Sequence, residues 1–263
     1  MNKSFSWKIF FILLAASIFG VVAVIPYSLA LQANTLDQSK LPLPLWMLIP
    51  LQVIQNGVMF AILIGVGLWA ANRTGLGLPI LEAKLAGEPV SERIKPLLLP
   101  SILLGIIVSV LIVALDLYVF SPALKAQLGN QALNLTQSNA HPTAWKGLLA
   151  SFYGGIDEEI LLRLGLLSLF AWLGKFISKT ANGYPALVVL WTANILAAVL
   201  FGLGHLPATS LLMPLTPLVI LRAIVLNGLA GVGFGYLYFS RGLEAAMLSH
   251  FTADIVLHVL IVF

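Results

Sequence analysis

Four charged side chains stand within an otherwise apolar run near the middle of the chain. They are Asp157, Glu158, Glu159 and Arg163, in the stretch Gly-Gly-Ile-Asp-Glu-Glu-Ile-Leu-Leu-Arg that begins at Gly154. An ionisable side chain at the centre of a membrane helix costs about 2.5–3.5 kcal/mol on insertion scales, so a cluster of them marks a candidate functional site. These four residues are therefore the first candidates for chemistry.

The spacing within this cluster separates the roles of the two glutamates. Glu159 and Arg163 are four residues apart, which places them on one helix face, where they can form an ion pair. Glu158 is rotated by about 140° from Arg163 and cannot easily share it. Glu158 is the less compensated carboxylate, and this favours it as a general base. The alternative is a purely structural Glu–Arg pair, but this does not explain why Glu158 and Asp157 also occur in the apolar helix.

Two histidine-containing motifs also interrupt apolar stretches. His205 ends the sequence Phe-Gly-Leu-Gly-His, and His250 precedes Asp254 by one helical turn. Asp254 can therefore orient His250, or join it in binding a metal ion or a developing oxyanion. A histidine that only bridges two helices is the structural alternative for each motif. We interpret His258 as interfacial and Arg222 as a side chain that snorkels to the outer surface.

The composition indicates how these residues are held. The chain has 263 residues, of which 60% are hydrophobic and 9% charged, which is typical of an integral membrane protein. Spans of about 20 residues predict an all-α, polytopic membrane helical bundle of about seven transmembrane helices. We expect N-terminal helices and loops over 1–145 and the catalytic core over 146–263. The predicted spans are approximately 5–30, 46–71, 97–120, 146–172, 184–205, 218–239 and the segment after Gly242.

The sequence limits the possible metal ligands, the membrane orientation and the kinds of partner. The chain has no cysteine, so any metal ion must be held by His, Asp or Glu. Lys and Arg number nine on the side of the N-terminus against three on the other, which predicts a cytoplasmic N-terminus. This bias explains the net charge of +4 without a nucleic-acid partner. The first span ends in a small-residue pattern found at signal-peptide cleavage sites, but its length favours a retained span.

The three motifs together resemble the CPBP family, which comprises CAAX prenyl endopeptidases and Abi-like relatives linked to bacteriocin processing and self-immunity. Glu-Glu-xxx-Arg, Phe-xxx-His and His-xxx-Asp occur in the family's order, over about 151–262. The resemblance implies an intramembrane endopeptidase of a bacterial cell membrane, acting on a peptide or prenylated protein. It further implies that Glu158 and His205 activate water, that Glu159 and Arg163 support them, and that His250 and Asp254 stabilise the oxyanion.

Departures from the family pattern leave the cofactor open. Leu162 and Leu164 flank Arg163 where many members have Phe and Gly, and Asp254 stands where Asn would be a ready hydrogen-bond donor. The family is described both as metalloproteases and as metal-independent glutamate proteases. A zinc ion held by His205 and His250 with Glu158 or Asp254, and a water held by Glu and His alone, are both compatible with these residues.

Ideal helices place the motifs at different depths. His205 falls near the outer end of its span and His250 nearer the cytoplasm, a disagreement of roughly 15 Å. We therefore expect a tilted or displaced helix, or a fifth span that begins only after Pro185. The alternatives to a protease are a non-catalytic immunity or scaffold protein of the same fold and, third, a proton-coupled transporter.

Overall fold

The computed structural model describes residues 5–33, 41–129 and 142–261, whose regular structure is helical. We number the helices in chain order. They are α1 (Trp7–Leu31), α2 (Leu45–Thr74), α3 (Pro79–Leu85), α4 (Ser91–Leu128), α5 (144–174), α6 (Leu187–Gly204), α7 (Leu206–Leu212), α8 (Pro217–Arg241) and α9 (Leu243–Leu260).

The predicted bundle of about seven membrane helices is confirmed. Six segments of the described residues are long and apolar enough to cross a membrane: α1, α2, α4, α6 with α7, α8 and α9. The remaining long helix, α5, carries the four charged residues and lies among the others. Its first half packs against α1 and α9, and its second half packs against α2 and α6.

Three helix ends illustrate how local sequence sets the boundaries. Gly75 ends α2 in the left-handed conformation, with φ of 75°, which only glycine adopts at little cost. The Thr216 hydroxyl accepts a hydrogen bond from the Val219 N–H at the start of α8. Helix α6 begins at Leu187, after Pro185, as the depth argument predicted.

One predicted boundary was wrong at both ends. The third span was expected over about 97–120, yet α4 begins at Ser91 and continues to Leu128. Hydropathy marks only the part of a helix that is apolar enough for a membrane, whereas Glu, Arg and Lys extend a helix readily into water. The predicted loop before it is therefore shorter, although its short helix is present as α3.

Small residues bring the site-bearing helices close together. A Cβ at Gly231 would lie 2.9 Å from the Ala198 Cβ, so α8 and α6 approach closely at this point. Gly235 fits in the same way against the Asn194 side chain. Close approach at small residues is the usual basis of helix packing in membranes, and here it sets α6 and α8 beside the polar residues of α5.

Candidate active site

The backbone of α5 departs from the α-helix where the charged residues occur. Residues Tyr153–Glu158 and Ile160–Leu167 form two π-helical segments, and Glu159 is the single residue between them. In a π-helix each N–H bonds to the carbonyl five residues earlier, and such turns are frequent at functional sites. The two glutamates are therefore presented from a wider helix than the α-helical spacing assumed.

Glycines in this segment bring α9 into contact with α5. A Cβ at Gly154 would overlap the Asp254 carboxylate and would lie 3.1 Å from His250 Nε2. A Cβ at Gly155 would lie 3.0 Å from the Phe251 Cβ. The Gly-Gly pair ahead of the acidic residues thus provides the surface against which the polar residues of α9 lie.

Glu159 is fully buried and makes two polar contacts. Its Oε2 lies 3.2 Å from Arg163 Nε, which is the ion pair predicted from the spacing. Its Oε1 accepts a hydrogen bond from His250 Nδ1 at 2.8 Å, a contact that the sequence did not indicate. Glu159 therefore orients His250, a role that the sequence analysis had given to Asp254. With Nδ1 donating to Glu159, the other ring nitrogen of His250 faces the site.

Glu158 lies on the accessible side of the same histidine. Its Oε2 is 3.5 Å from His250 Nε2, and its side chain is 21% exposed, whereas the side chain of Glu159 is 0% exposed. Asp254 Oδ1 approaches the same Nε2 at 3.7 Å. Glu158, His250 and Asp254 thus converge on one point, and Glu158 is the carboxylate that water or a substrate can reach.

Arg163 is buried by contacts from two other helices. Its Nη2 donates a hydrogen bond to the Gly231 carbonyl at 2.9 Å. Its guanidinium lies 5.4 Å from the Phe201 ring centroid and 5.6 Å from that of Phe234, within the range of a cation–π interaction. Sequence analysis did not predict the contacts of Phe234 and of the Gly231 carbonyl. Gly231 and Gly235 form a Gly-xxx-Gly pattern, which indicates only close helix packing.

His205 lies beside this group rather than within it. It follows the last residue of α6, and its Nδ1 donates to the Phe201 carbonyl at 2.8 Å, while Nε2 has no hydrogen bond to any described residue. The Phe201 ring lies 4.8 Å from the His205 ring and 5.7 Å from the His250 ring. Because both histidine rings lie beside one phenyl ring, they are closer together than the separation of roughly 15 Å that ideal helices predict. Among the described residues, no hydrogen bond or ion pair joins His205 to Glu158 or His250.

The other charged or polar candidates occupy three separate positions. Asp157 is fully buried and faces α1, where a Cβ at Gly20 would overlap its carboxylate. His258, interpreted as interfacial, lies at the edge of the site, with Nδ1 3.2 Å from the Tyr27 hydroxyl and Nε2 3.9 Å from Asp254 Oδ1. Arg222 does not simply snorkel, because its Nε lies 2.6 Å from an oxygen of Asp116.

The zinc prediction depends on the positions of His205 and His250. In the part of the chain that the structure describes, no three His, Asp or Glu side chains are arranged to hold a metal ion. His205 is set apart from His250 by Phe201, and His250 Nδ1 is engaged by Glu159. Zinc bound by His205 and His250 remains a prediction from the sequence, and the roles proposed below use the protein's own side chains.

Comparison with known families identifies the region that contains these residues. Residues 140–256 match the model of the Rce1-like family, described as type II CAAX prenyl endopeptidase. This match supports a CPBP-family protein over that region. The matched range includes all six predicted site residues, and the family supports a protease embedded in a membrane. Comparisons with curated proteins and with solved structures gave no match.

Proposed function

We propose that this protein is a CPBP-family intramembrane endopeptidase in which Glu158 and histidine side chains activate a water molecule. The observation that carries the proposal is the contrast between two adjacent carboxylates. Glu159 is occupied by Arg163 and His250, whereas Glu158 is partly exposed and lies 3.5 Å from His250 Nε2. A group that exchanges protons with a substrate has to be within hydrogen-bond reach of it, directly or through one water.

The first step is attack on the scissile carbonyl carbon. Glu158 accepts a proton from water while the water oxygen bonds to that carbon, and the carbonyl oxygen becomes an oxyanion. His250, held at Nδ1 by Glu159, donates from Nε2 to the oxyanion in its doubly protonated form. Asp254 lies 3.7 Å from Nε2 and balances the positive charge of His250. It does not bind the oxyanion itself, because an ionised carboxylate would repel a second negative charge.

The second step breaks the carbon–nitrogen bond. Glu158 returns its proton to the leaving amine, so that the products are a carboxylic acid and an amine. His205 donates from Nδ1 to the Phe201 carbonyl, so its neutral ring accepts a hydrogen bond at Nε2. This acceptor positions the attacking water from the side of α6. The substrate class implied by the family description is a protein with a prenylated CAAX terminus.

Peptide cleavage by the purified, lipid-reconstituted protein tests the proposal. Glu158→Gln removes the basic oxygen and keeps the shape, so hydrolysis of prenylated and unmodified CAAX peptides should fall by about 10²–10⁴-fold. The melting temperature should change little. Glu92→Gln, at an exposed position on α4, is the matched control and should cleave normally.

Other variants decide between the assigned roles and the protease itself. His205→Ala and His250→Ala should resemble Glu158→Gln, and combining either with it should cost little further activity. Near-normal turnover in Glu158→Gln, with a folded but inactive Glu159→Gln, would mean that the two glutamate roles are reversed. If all four variants stay active, the protein is not a protease of this kind, and proton flux in liposomes then tests the transporter alternative.

Metal removal addresses the zinc prediction separately. A water held by Glu158 and His205 requires no metal ion, so a chelated preparation should keep its full activity. Elemental analysis of the same sample would report its zinc content. Joint loss of about one equivalent of zinc and of activity would instead favour a metal site that includes His205 and His250.

A further inference from the structure

An open apolar groove lies between the start of α1 and the end of α2, away from the proposed active site. It has a volume of about 530 Å³ and is lined by Phe5, Trp7, Gly65, Val66 and Trp69. Gly65 and Trp69 are four residues apart on α2, and Arg73 continues the same face by one more turn. This face extends for about 12 Å along the helix axis.

Two cationic residues follow the Trp69 end of this groove. The Arg73 guanidinium lies 4.3 Å above the Trp69 ring centroid. Lys175, at the end of α5, donates from Nζ to the Arg73 carbonyl at 3.0 Å. Helix α5 reaches this point because Trp172 packs against Trp69, with ring centroids 4.6 Å apart. Arg73 is therefore fixed on Trp69, which lines the groove, and Lys175 is fixed on the Arg73 backbone one turn further along.

Neither cation is neutralised by a carboxylate of the described residues. Arg73 and Lys175 form no ion pair there, whereas Arg93 pairs with Glu88 at 2.7 Å and Lys95 with Glu92 at 3.3 Å. Arg73 uses one side-chain donor, to the Trp69 carbonyl, and Lys175 uses one of three. Both cations therefore have side-chain donors left for an anion, and an anionic group that contacts both would be attracted by two positive charges.

We propose that this groove and the two cations bind one anionic phospholipid of the surrounding leaflet. The headgroup phosphate lies against Arg73 and Lys175, and one acyl chain lies along Gly65 and Trp69. Trp69 holds the guanidinium in place, so little side-chain freedom is lost on binding. The predicted orientation places both cations on the cytoplasmic side, where basic pockets between membrane helices bind anionic headgroups. The site is independent of the proposed proteolytic activity.

Native mass spectrometry of the delipidated full-length protein in detergent tests this proposal. The probes are phosphatidylglycerol and phosphatidylcholine with identical acyl chains. The protein should retain the anionic lipid at least about tenfold better, which is the effect of about 1.4 kcal/mol. The Arg73→Gln/Lys175→Gln double variant should lose this preference. The Lys84→Gln/Lys95→Gln double variant removes the same charge from exposed positions and should keep it.

A second variant tests the apolar part of the site. A Cβ at Gly65 would meet only Phe10 at 3.9 Å, so Gly65→Leu fills the groove and leaves both charges in place. It should weaken retention of phosphatidylglycerol by at least about fivefold, roughly 1 kcal/mol, with an unchanged melting temperature. Equal retention of the two lipids by the unmodified protein would overturn the proposal. So would an unchanged preference in the Arg73→Gln/Lys175→Gln variant, or displacement of the lipid by a prenylated peptide, which would assign the groove to substrate.

Discussion

The Glu159–Arg163 and Asp116–Arg222 ion pairs both lie within the bundle but differ in almost every geometric respect. The first joins two turns of α5, with side chains 0% and 1% exposed and one Nε–Oε2 distance of 3.2 Å. The second joins α4 to α8, with both side chains 28% exposed. Arg222 bonds to both carboxylate oxygens of Asp116, at 2.6 and 2.7 Å.

The pair with the better hydrogen-bond geometry, Asp116–Arg222, is therefore not the pair that lies in the candidate active site. The Asp116–Arg222 pair has the two parallel bonds that arginine and a carboxylate form when nothing else competes for them. In the other pair, Glu159 also accepts from His250, and Arg163 also donates to the Gly231 carbonyl. Its geometry is a compromise among several partners, which is expected of a pair that positions a catalytic group.

Removing one carboxylate from each pair gives the largest expected effect. Glu159→Gln leaves Arg163 buried without its counter-charge and should lower the free energy of unfolding by about 3–5 kcal/mol. It should also abolish peptide cleavage, because His250 loses its partner at Nδ1. Asp116→Asn should destabilise the protein less, since its partner is partly exposed, and cleavage should continue. Thermal unfolding and peptide-cleavage assays on both variants measure these losses of stability and activity. Equal losses of activity would contradict the proposal that only the Glu159–Arg163 pair supports catalysis.

A single methyl group tests whether Asp254 belongs with the central pair. Gly154→Ala places a Cβ where the Asp254 carboxylate lies, and a displacement of about 1 Å at such a site can lower activity by about 10²-fold. Gly57→Ala is the matched control within a membrane helix, because its Cβ would meet only Ile18 at 3.9 Å. Peptide-cleavage rates report both. Full activity in Gly154→Ala would show that the position of Asp254 is unimportant.

A double-mutant cycle sharpens the description of the peripheral pair. Asp116→Asn, Arg222→Gln and the combined variant should show a coupling free energy of about 1 kcal/mol in unfolding, as expected for a partly exposed pair. The turnover number should be the same in all three variants. A coupling free energy in the turnover number would mean that the Asp116–Arg222 pair contributes to catalysis, as the Glu159–Arg163 pair is proposed to do.

The smallest expected effect concerns the link between α1 and the edge of the site. Tyr27→Phe removes the hydroxyl that lies 3.2 Å from His258 Nδ1. A hydrogen bond contributes about 0.5–1.5 kcal/mol, so activity should fall by about two- to twelvefold at constant KM. Tyr118→Phe, at an 81% exposed position, should change nothing. A rise in KM alone would mean that Tyr27 affects substrate entry. It would argue against an effect on Asp254 through His258, whose Nε2 lies 3.9 Å from Asp254 Oδ1.

Local spacing predicted some of these contacts and missed others for a definite reason. The Glu159–Arg163 pair follows from the i, i+4 geometry of one helix. The same rule assigned Asp254 as the partner of His250, although the hydrogen bond at Nδ1 comes from Glu159, 91 residues away in the chain. The Asp116–Arg222 pair spans 106 residues and has no local signal at all. Contacts between helices depend on packing that no single segment encodes.

The fold was more predictable than the site, because hydropathy reports each membrane helix independently of its neighbours. The start of α6 at Leu187 was predicted from Pro185, whereas the additional turns of α4 at both ends were not. The π-helical segments of α5 also escaped prediction. Hydropathy and i, i+4 spacing do not distinguish a π-helical segment from an α-helical one.

These two π-helical segments also have an evolutionary consequence. The hydrogen bonds of a π-helix span one residue more than those of an α-helix, so a π-helical turn is equivalent in geometry to an α-helical turn with one residue inserted. Deleting one residue within Tyr153–Glu158 would restore the α-helical register and rotate everything before it by about 100°. Gly154 would then turn away from α9. Relatives without this extra residue should therefore align with a single gap just before the acidic pair, and they would need a different contact in place of Gly154.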